Sequence, residues 1–116
     1  MRVGIVGSRR RADRETIEAA VGDLPPGTVV VTGGAEGPDR WAEHAARTSG
    51  LEVIVHGPDL HGVRAQWQAA ERFYARNQHI VDDSDLVIAF VAPDRTGGTA
   101  DTIRRAVRAR KPVEVR

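Results

Sequence analysis

The feature that most constrains this chain is an alternation of two periodicities. Continuously apolar, strand-sized runs are separated by segments whose apolar residues recur at helical spacing. Arg2-Val-Gly-Ile-Val6 ends at Gly7. Thr28-Val-Val-Val-Thr32 is β-branched throughout and ends at Gly33-Gly34. Leu51 to Val55, Asp85 to Val91 and Pro112 to Val115 complete five predicted strands. Between them, Asp13 reads as a helix cap, with Ile17, Ala20, Val21 and Leu24 on one face until Pro25-Pro26-Gly27. Asp39 to Ser49 reads as a second helix, with Trp41, Ala42, Ala45 and Ala46 inward and Gly50 as its stop. Val63, Trp67, Ala70, Tyr74, Asn77 and Val81 form a helical stripe, in one helix or two. Thr99 to Arg110 reads as the last helix, with Ile103, Ala106 and Val107 inward.

Strands with no polar alternation must be buried on both faces, which demands a parallel sheet between two helical layers. The expected fold is α/β: a three-layer, doubly wound, Rossmann-like parallel sheet of five strands in the order 3-2-1-4-5. The 116 residues make one domain, 1–116, with no linker or repeat. Such a sheet reverses direction between strands one and four, and ligands bind outside the carboxyl ends of the strands at that point.

Composition narrows the function classes. There is no cysteine, hence no disulfide, thiolate metal site or cysteine nucleophile. His44, His56, His61 and His79 show no metal-ligand spacing on one helix, and neither metal nor cofactor is expected. No apolar run is long enough to span a membrane, and the first strand begins at Arg2, so the expected location is cytoplasmic. The net charge of +1 argues against bulk attraction to nucleic acid, and 4% aromatics are too few for a base-stacking platform. Of 17 basic residues only Lys111 is a lysine. Arginine suits bidentate phosphate contacts, but a composition bias gives the same count.

The informative residues follow the strands. Gly7-Ser8-Arg9 follows the first, and Gly33-Gly34-Ala35-Glu36-Gly37-Pro38-Asp39 the second. Pro93-Asp94-Arg95-Thr96-Gly97-Gly98-Thr99 follows the fourth and opens a helix. Glycine there also simply makes tight turns. Three such turns at one edge favour a phosphate-bearing ligand held by backbone amides, by the Ser8 and Thr99 hydroxyls and by Arg9 and Arg95. Neither G-x-x-x-x-G-K-[ST] nor G-x-G-x-x-G is present, so this is neither a P-loop nor an ordinary NAD site. Asp39 is also a natural helix N-cap. Trp41 and Trp67 read as core or dimer-face residues, and Asp82, Asp83 and Asp85 as a solvated turn at the far end of the sheet. Arg104, Arg105, Arg108, Arg110, Lys111 and Arg116 form a basic tail region suited to a helix C-terminus.

The ordered set Gly7-Ser8-Arg9, Gly33-Gly34-Ala35-x-Gly37-x-Asp39, Arg76-Asn77, Ser84-Asp85 and Gly97-Gly98-Thr99 resembles the SLOG superfamily. These are Rossmann-like proteins named for Smf/DprA and the Lonely-guy enzymes. The small stand-alone YspA-like branch fits the length and motifs best. The resemblance implies a nucleotide or nucleotide-derived ligand bound by Gly7, Ser8, Arg9, Gly33, Gly34, Asp39, Arg76, Asn77, Gly97, Gly98 and Thr99, in a sensor or carrier domain that often forms homodimers or larger homo-oligomers. Lonely-guy enzymes are nucleoside monophosphate phosphoribohydrolases. By that likeness Arg76 and Asp101 are the candidate catalytic pair, although Thr102 stands where those enzymes have glutamate. DprA shares G-S-R, G-G-A-x-G-x-D and an R-N pair after an aromatic, here Phe73-Tyr74-Ala75-Arg76-Asn77, which implies single-stranded DNA binding as the remaining alternative.

Overall fold

The computed structural model describes residues 1–116. Five strands, β1 (Arg2–Gly7), β2 (Val29–Thr32), β3 (Glu52–Val55), β4 (Leu86–Phe90) and β5 (Val113–Val115), alternate with four helices. These are α1 (Arg14–Gly22), α2 (Pro38–Thr48), α3 (Gln66–Asp82) and α4 (Gly98–Arg108). All pairings are parallel, in the order β3-β2-β1-β4-β5. This is the expected Rossmann-like arrangement, with β1 central and the reversal between β1 and β4.

The alternation along each strand divides the core in two. Val3, Ile5, Val30, Ile88 and Phe90 face one way and pack with Ile17 and Val21 of α1 and Ala42, Ala45 and Ala46 of α2. Val6, Val31, Val87 and Ala89 face the other way and pack with Ile80 and Val81 of α3 and Ala106 of α4. Both faces are therefore dry, which explains why the strands read as unbroken apolar runs. The chain leaves β1 toward the α1/α2 layer and leaves β4 toward the α3/α4 layer. The two loops diverge and open a crevice at the reversal.

Some expectations fail for physical reasons. Asp13 is the N-cap residue of α1, as expected, but its side chain caps nothing, because its carboxylate is held by Arg11 Nε and Nη2 at 2.9 and 2.6 Å. Trp67 and Tyr74 are not inward: they are 64% and 48% exposed, and the buried residues of α3 are Asn77, Ile80 and Val81 near its end. The helix is unbroken, and its first half overhangs the sheet. Val107 is 63% exposed, so α4 buries a narrower stripe than its spacing suggests. Asp82 to Asp85 is not merely solvated. Asp83 pairs with Arg2 and accepts from His56 Nε2 at 2.9 Å, and Asp85 accepts the Arg2 amide at 2.7 Å. Lys111 Nζ donates to Ser84 O at 2.7 Å and Arg116 pairs with Glu114, so the basic tail is partly spent on the fold.

Gly7 ends β1 where no side chain fits: a Cβ there would lie 2.5 Å from Pro38 Cβ and 3.2 Å from Phe90 Cβ. Pro38 begins α2, so this contact sets how closely α2 approaches the sheet. Gly7→Ala should cost about 1–3 kcal/mol by overpacking, whereas Gly57→Ala, with nothing near its Cβ, should be close to neutral. Urea denaturation of the two variants checks this.

Candidate functional site

The crevice at the reversal is a cavity of about 630 Å³. Its floor and one side come from Val6 to Arg10 at the end of β1. Ala35 and Asp39 supply the α2 side, and Thr96 to Thr99 with Thr102 the α4 side. Ala70, Phe73, Tyr74, Arg76, Asn77 and Ile80 of α3 close it. Gly7, Ser8, Arg9, Asp39, Arg76, Asn77, Gly97, Gly98 and Thr99 are thus brought together as expected from their place in the chain.

Both helices facing the cavity start on a glycine at positive φ, but their ends differ. α4 begins after Gly97 (φ 86°) with no side-chain cap. Its first amides have no intrahelical acceptor, and a Cβ on Gly97 or Gly98 would meet nothing. That end carries the positive pole of the helix. α2 begins after Gly37 (φ 90°) with Pro38, which has no N–H to offer. Asp39 sits in its first turn, so that end carries a fixed carboxyl instead. The cap of α2 is Gly37, not Asp39.

Asp39 is 6% exposed. Oδ2 accepts the Ala35 amide at 3.3 Å. Burial pushes its pKa up to about 6, against the opposing pull of that amide, Arg76, the Gly33 amide and the Thr32 hydroxyl. Thr32 Oγ1 itself is buried and completes no hydrogen bond of ordinary geometry. Arg76 is half-buried, and desolvation lowers its pKa from the usual guanidinium value while leaving it charged. Its Nε donates to Asn77 Oδ1 at 3.0 Å and its Nη1 to Gly33 O at 2.9 Å, with the guanidinium 5.5 Å above the Phe73 ring. Gly33 makes this possible: a Cβ there would lie 2.6 Å from Arg76 Nη1 and 2.9 Å from Asp39 Oδ2.

Over an alignment of 121 positions, the chain is 37% identical to the Gene 61 protein of Mycobacterium phage D29, covering 97% of this chain and 93% of that one. The chain belongs to the Gene 61 protein family. No family model matches it. Among solved structures, DNA processing protein A (DprA) of Streptococcus pneumoniae superposes with a TM-score of 0.80 at 22% identity, over 98% of this chain and 49% of DprA. The chain therefore has the DprA-type, Smf/DprA fold and spans about half of the DprA chain. The C-terminal domain of a Pyrococcus furiosus hydrogenase superposes more loosely, with a TM-score of 0.56 at 12% identity over 98% of this chain and 89% of that domain.

In this Gene 61 family member the remaining expected residues fall outside the cavity wall. Gly33 and Gly34 lie behind it, where Gly33 receives Arg76 and Gly34 turns the chain at φ 73°. Asp101, the expected catalytic acid, does not line the cavity. Its Oδ2 accepts from Asn77 Nδ2 at 3.1 Å and from Arg105 Nε at 2.7 Å, and the Arg105 and Asn77 donors hold its pKa below the usual range despite burial. It braces α4 against α3. Arg95 is exposed and turns its loop at φ 51° without reaching the wall. His56 lies apart, with Asp83 and with His79 at 6.0 Å, and burial lowers its pKa. No helix is long and apolar enough to cross a membrane.

Sequence reasoning passed over Phe73 and Tyr74 as wall residues, and Arg10, which pairs with Asp94. Adjacent aromatics one turn before Arg76, too polar a setting for a core, were the available signal.

The folded state holds the Asp39 proton up to about pH 6, against an ordinary value of 3.8. Its contribution to stability is therefore present at low pH, declines as pH rises from about 4 to 6, and leaves a constant penalty above that window. The penalty is roughly 3 kcal/mol. Asp39→Asn should be more stable than the wild type at pH 7 by up to that amount. The difference should shrink as pH falls from 6 to 4, as read by denaturant titration of both proteins across that range.

Proposed function

We propose that the chain binds a nucleotide or nucleotide-derived small molecule in the cavity, as a ligand-sensing or carrier domain of the small stand-alone, YspA-like kind. The observation that carries this reading is the uncapped start of α4. Gly97, Gly98 and Thr99 border the cavity and present free amides at a positive helix pole, where an anion of phosphate size is stabilised. Arg9 makes no ion pair or side-chain hydrogen bond, and Arg76 keeps its Nη2 unspent after bonding Gly33 and Asn77. Both supply charge to a phosphate group there. Phe73 and Tyr74 at the mouth, 37% and 48% exposed, give a flat apolar surface for a base. Turnover of the Lonely-guy type draws no support from Asp101, whose carboxylate is consumed by Asn77 and Arg105.

Single-stranded DNA is the second reading, and the likeness to a DNA processing protein favours it. The net charge of +1 and the carboxyl of Asp39 inside the cavity weigh against a polyanion.

The decisive variant is Gly98→Asp. A Cβ at Gly98 meets nothing, and an acid in the first turn of α4 suits the helix dipole. The variant should keep or gain thermal stability while its affinity for nucleoside monophosphates falls at least about tenfold through repulsion of the phosphate. Thermal shift and calorimetry with AMP, GMP, CMP and UMP measure both. No shift with any nucleotide, or binding unaffected by Gly98→Asp, sinks the reading. Tight oligonucleotide binding with a steep salt slope and no mononucleotide binding decides for DNA.

A further inference from the structure

The two helix starts give the cavity a polarity that the phosphate reading alone does not use. One end presents free amides, and the other presents the Asp39 carboxyl on a helix whose first residue is Pro38. We propose that Asp39 is the sugar-binding residue of the cavity, accepting hydrogen bonds from the cis-hydroxyls of a ribose, so that the ligand is a ribonucleotide rather than a deoxyribonucleotide; this rests on the phosphate lying at α4.

The argument starts from what Asp39 lacks. It is 6% exposed yet lines the cavity. No lysine, arginine or histidine nitrogen lies within ion-pair distance of it, although Arg76 shares its surroundings. Arg76 Nη1 is committed to Gly33 O, and Nε to Asn77 Oδ1. The Ala35 amide donates at 3.3 Å, and the Gly33 amide and Thr32 hydroxyl lie close at poorer geometry, which leaves part of a group with about four acceptor sites unserved. A buried carboxyl so thinly served is costly unless a ligand completes it.

The required ligand group is then a donor without negative charge. A second phosphate is disfavoured, since Asp39 repels it and Pro38 offers no N–H at the first position of α2. A single hydroxyl would satisfy one oxygen. A vicinal pair matches a carboxylate with both oxygens, the solution used when an acidic residue after the second strand of a dinucleotide fold holds a ribose. Gly33 keeps the arrangement open, because any Cβ would sit 2.9 Å from Asp39 Oδ2 and force the carboxyl or Arg76 aside. A phosphate at the α4 end and a sugar diol at Asp39 fix the direction of the nucleotide across the cavity and leave its base toward Phe73 and Tyr74.

Calorimetric titration of the full chain with AMP, GMP, CMP and UMP, each beside its 2′-deoxy and 3′-deoxy counterparts, tests this. At least one ribonucleotide should bind about tenfold or more tightly than both deoxy forms, the worth of a hydrogen bond to a charged acceptor. In Asp39→Asn that ratio should collapse to within about threefold, because the amide is a weaker, uncharged acceptor. Equal wild-type affinity for ribose and deoxyribose forms overturns the assignment and leaves phosphate binding standing. A ribose preference that survives Asp39→Asn overturns it too. Should no nucleotide bind, the phosphate reading itself falls, a result that the wild-type titrations alone distinguish from a failed sugar assignment.

Discussion

Two adjacent side chains near the end of α3 hold the carboxyl edge of the sheet together. Arg76 and Asn77 are consecutive, so they leave the helix about 100° apart and reach different walls. Arg76 bonds Gly33 O at the end of β2, and Asn77 bonds the Asp101 carboxylate and Gly98 O at the start of α4. One helical turn therefore ties the loop after β2 to the start of α4 across the reversal. Each charge-assisted bond is worth about 1.5–3 kcal/mol, enough for rigidity and too little for a fold. The fold itself comes from the two dry faces of the sheet. The tether places the cavity walls on it.

A cavity so placed inherits opposed charges. The positive pole of α4 and the carboxyl of Asp39 face the same space, and the chain's own groups satisfy neither fully. Burial raises the Asp39 pKa to about 6, and the Ala35 and Gly33 amides, Arg76 and the Thr32 hydroxyl only partly offset it. Asp101 shows the alternative on a helix of the opposite layer. It also sits in a first turn and is also buried, but Arg105 and Asn77 hold its pKa below the ordinary range. The opposite shifts of two first-turn aspartates follow from their partners: Asp101 is held by Arg105 and Asn77 and braces α4 against α3, whereas Asp39 has no basic side chain bonded to it.

The sheet was legible in the sequence because burial on both faces leaves no polar alternation to confuse Thr28 to Thr32 or Leu86 to Phe90. The reversal point followed from strand order, and with it the loops that meet there. The roles of the two aspartates were not legible. Asp101 stands one residue before Thr102, where the Lonely-guy enzymes have a glutamate, and only the structure shows its carboxylate bound to Asn77 and Arg105, the latter at a four-residue spacing that offered a local hint. Trp67 and Tyr74 fit a perfect helical stripe, but periodicity reports a face and not what covers it. The first half of α3 projects past the sheet, so its stripe meets solvent and cavity instead of core. Asp13 was lost to Arg11 because a bidentate ion pair outcompetes a cap.

The near absence of lysine takes on a physical meaning at three places. Arg11, Arg76 and Arg105 each lie 5.5 to 5.7 Å above an aromatic ring, of Phe90, Phe73 and Tyr74 respectively. Each also spends in-plane donors on fixed acceptors: Arg11 on Asp13, Val91 O and Arg116 O, Arg76 on Gly33 O and Asn77, Arg105 on Asp101 and Gln78. A planar guanidinium can stack through its face and bond through its edge at once, whereas an ammonium must choose. Two of the three rings border the cavity, so the same stacking that orders α3 also keeps Phe73 and Tyr74 upright at its mouth. Composition bias is enough to explain the arginines on the helix exteriors. At these three positions the guanidinium shape joins the wall of the site to the frame of the fold.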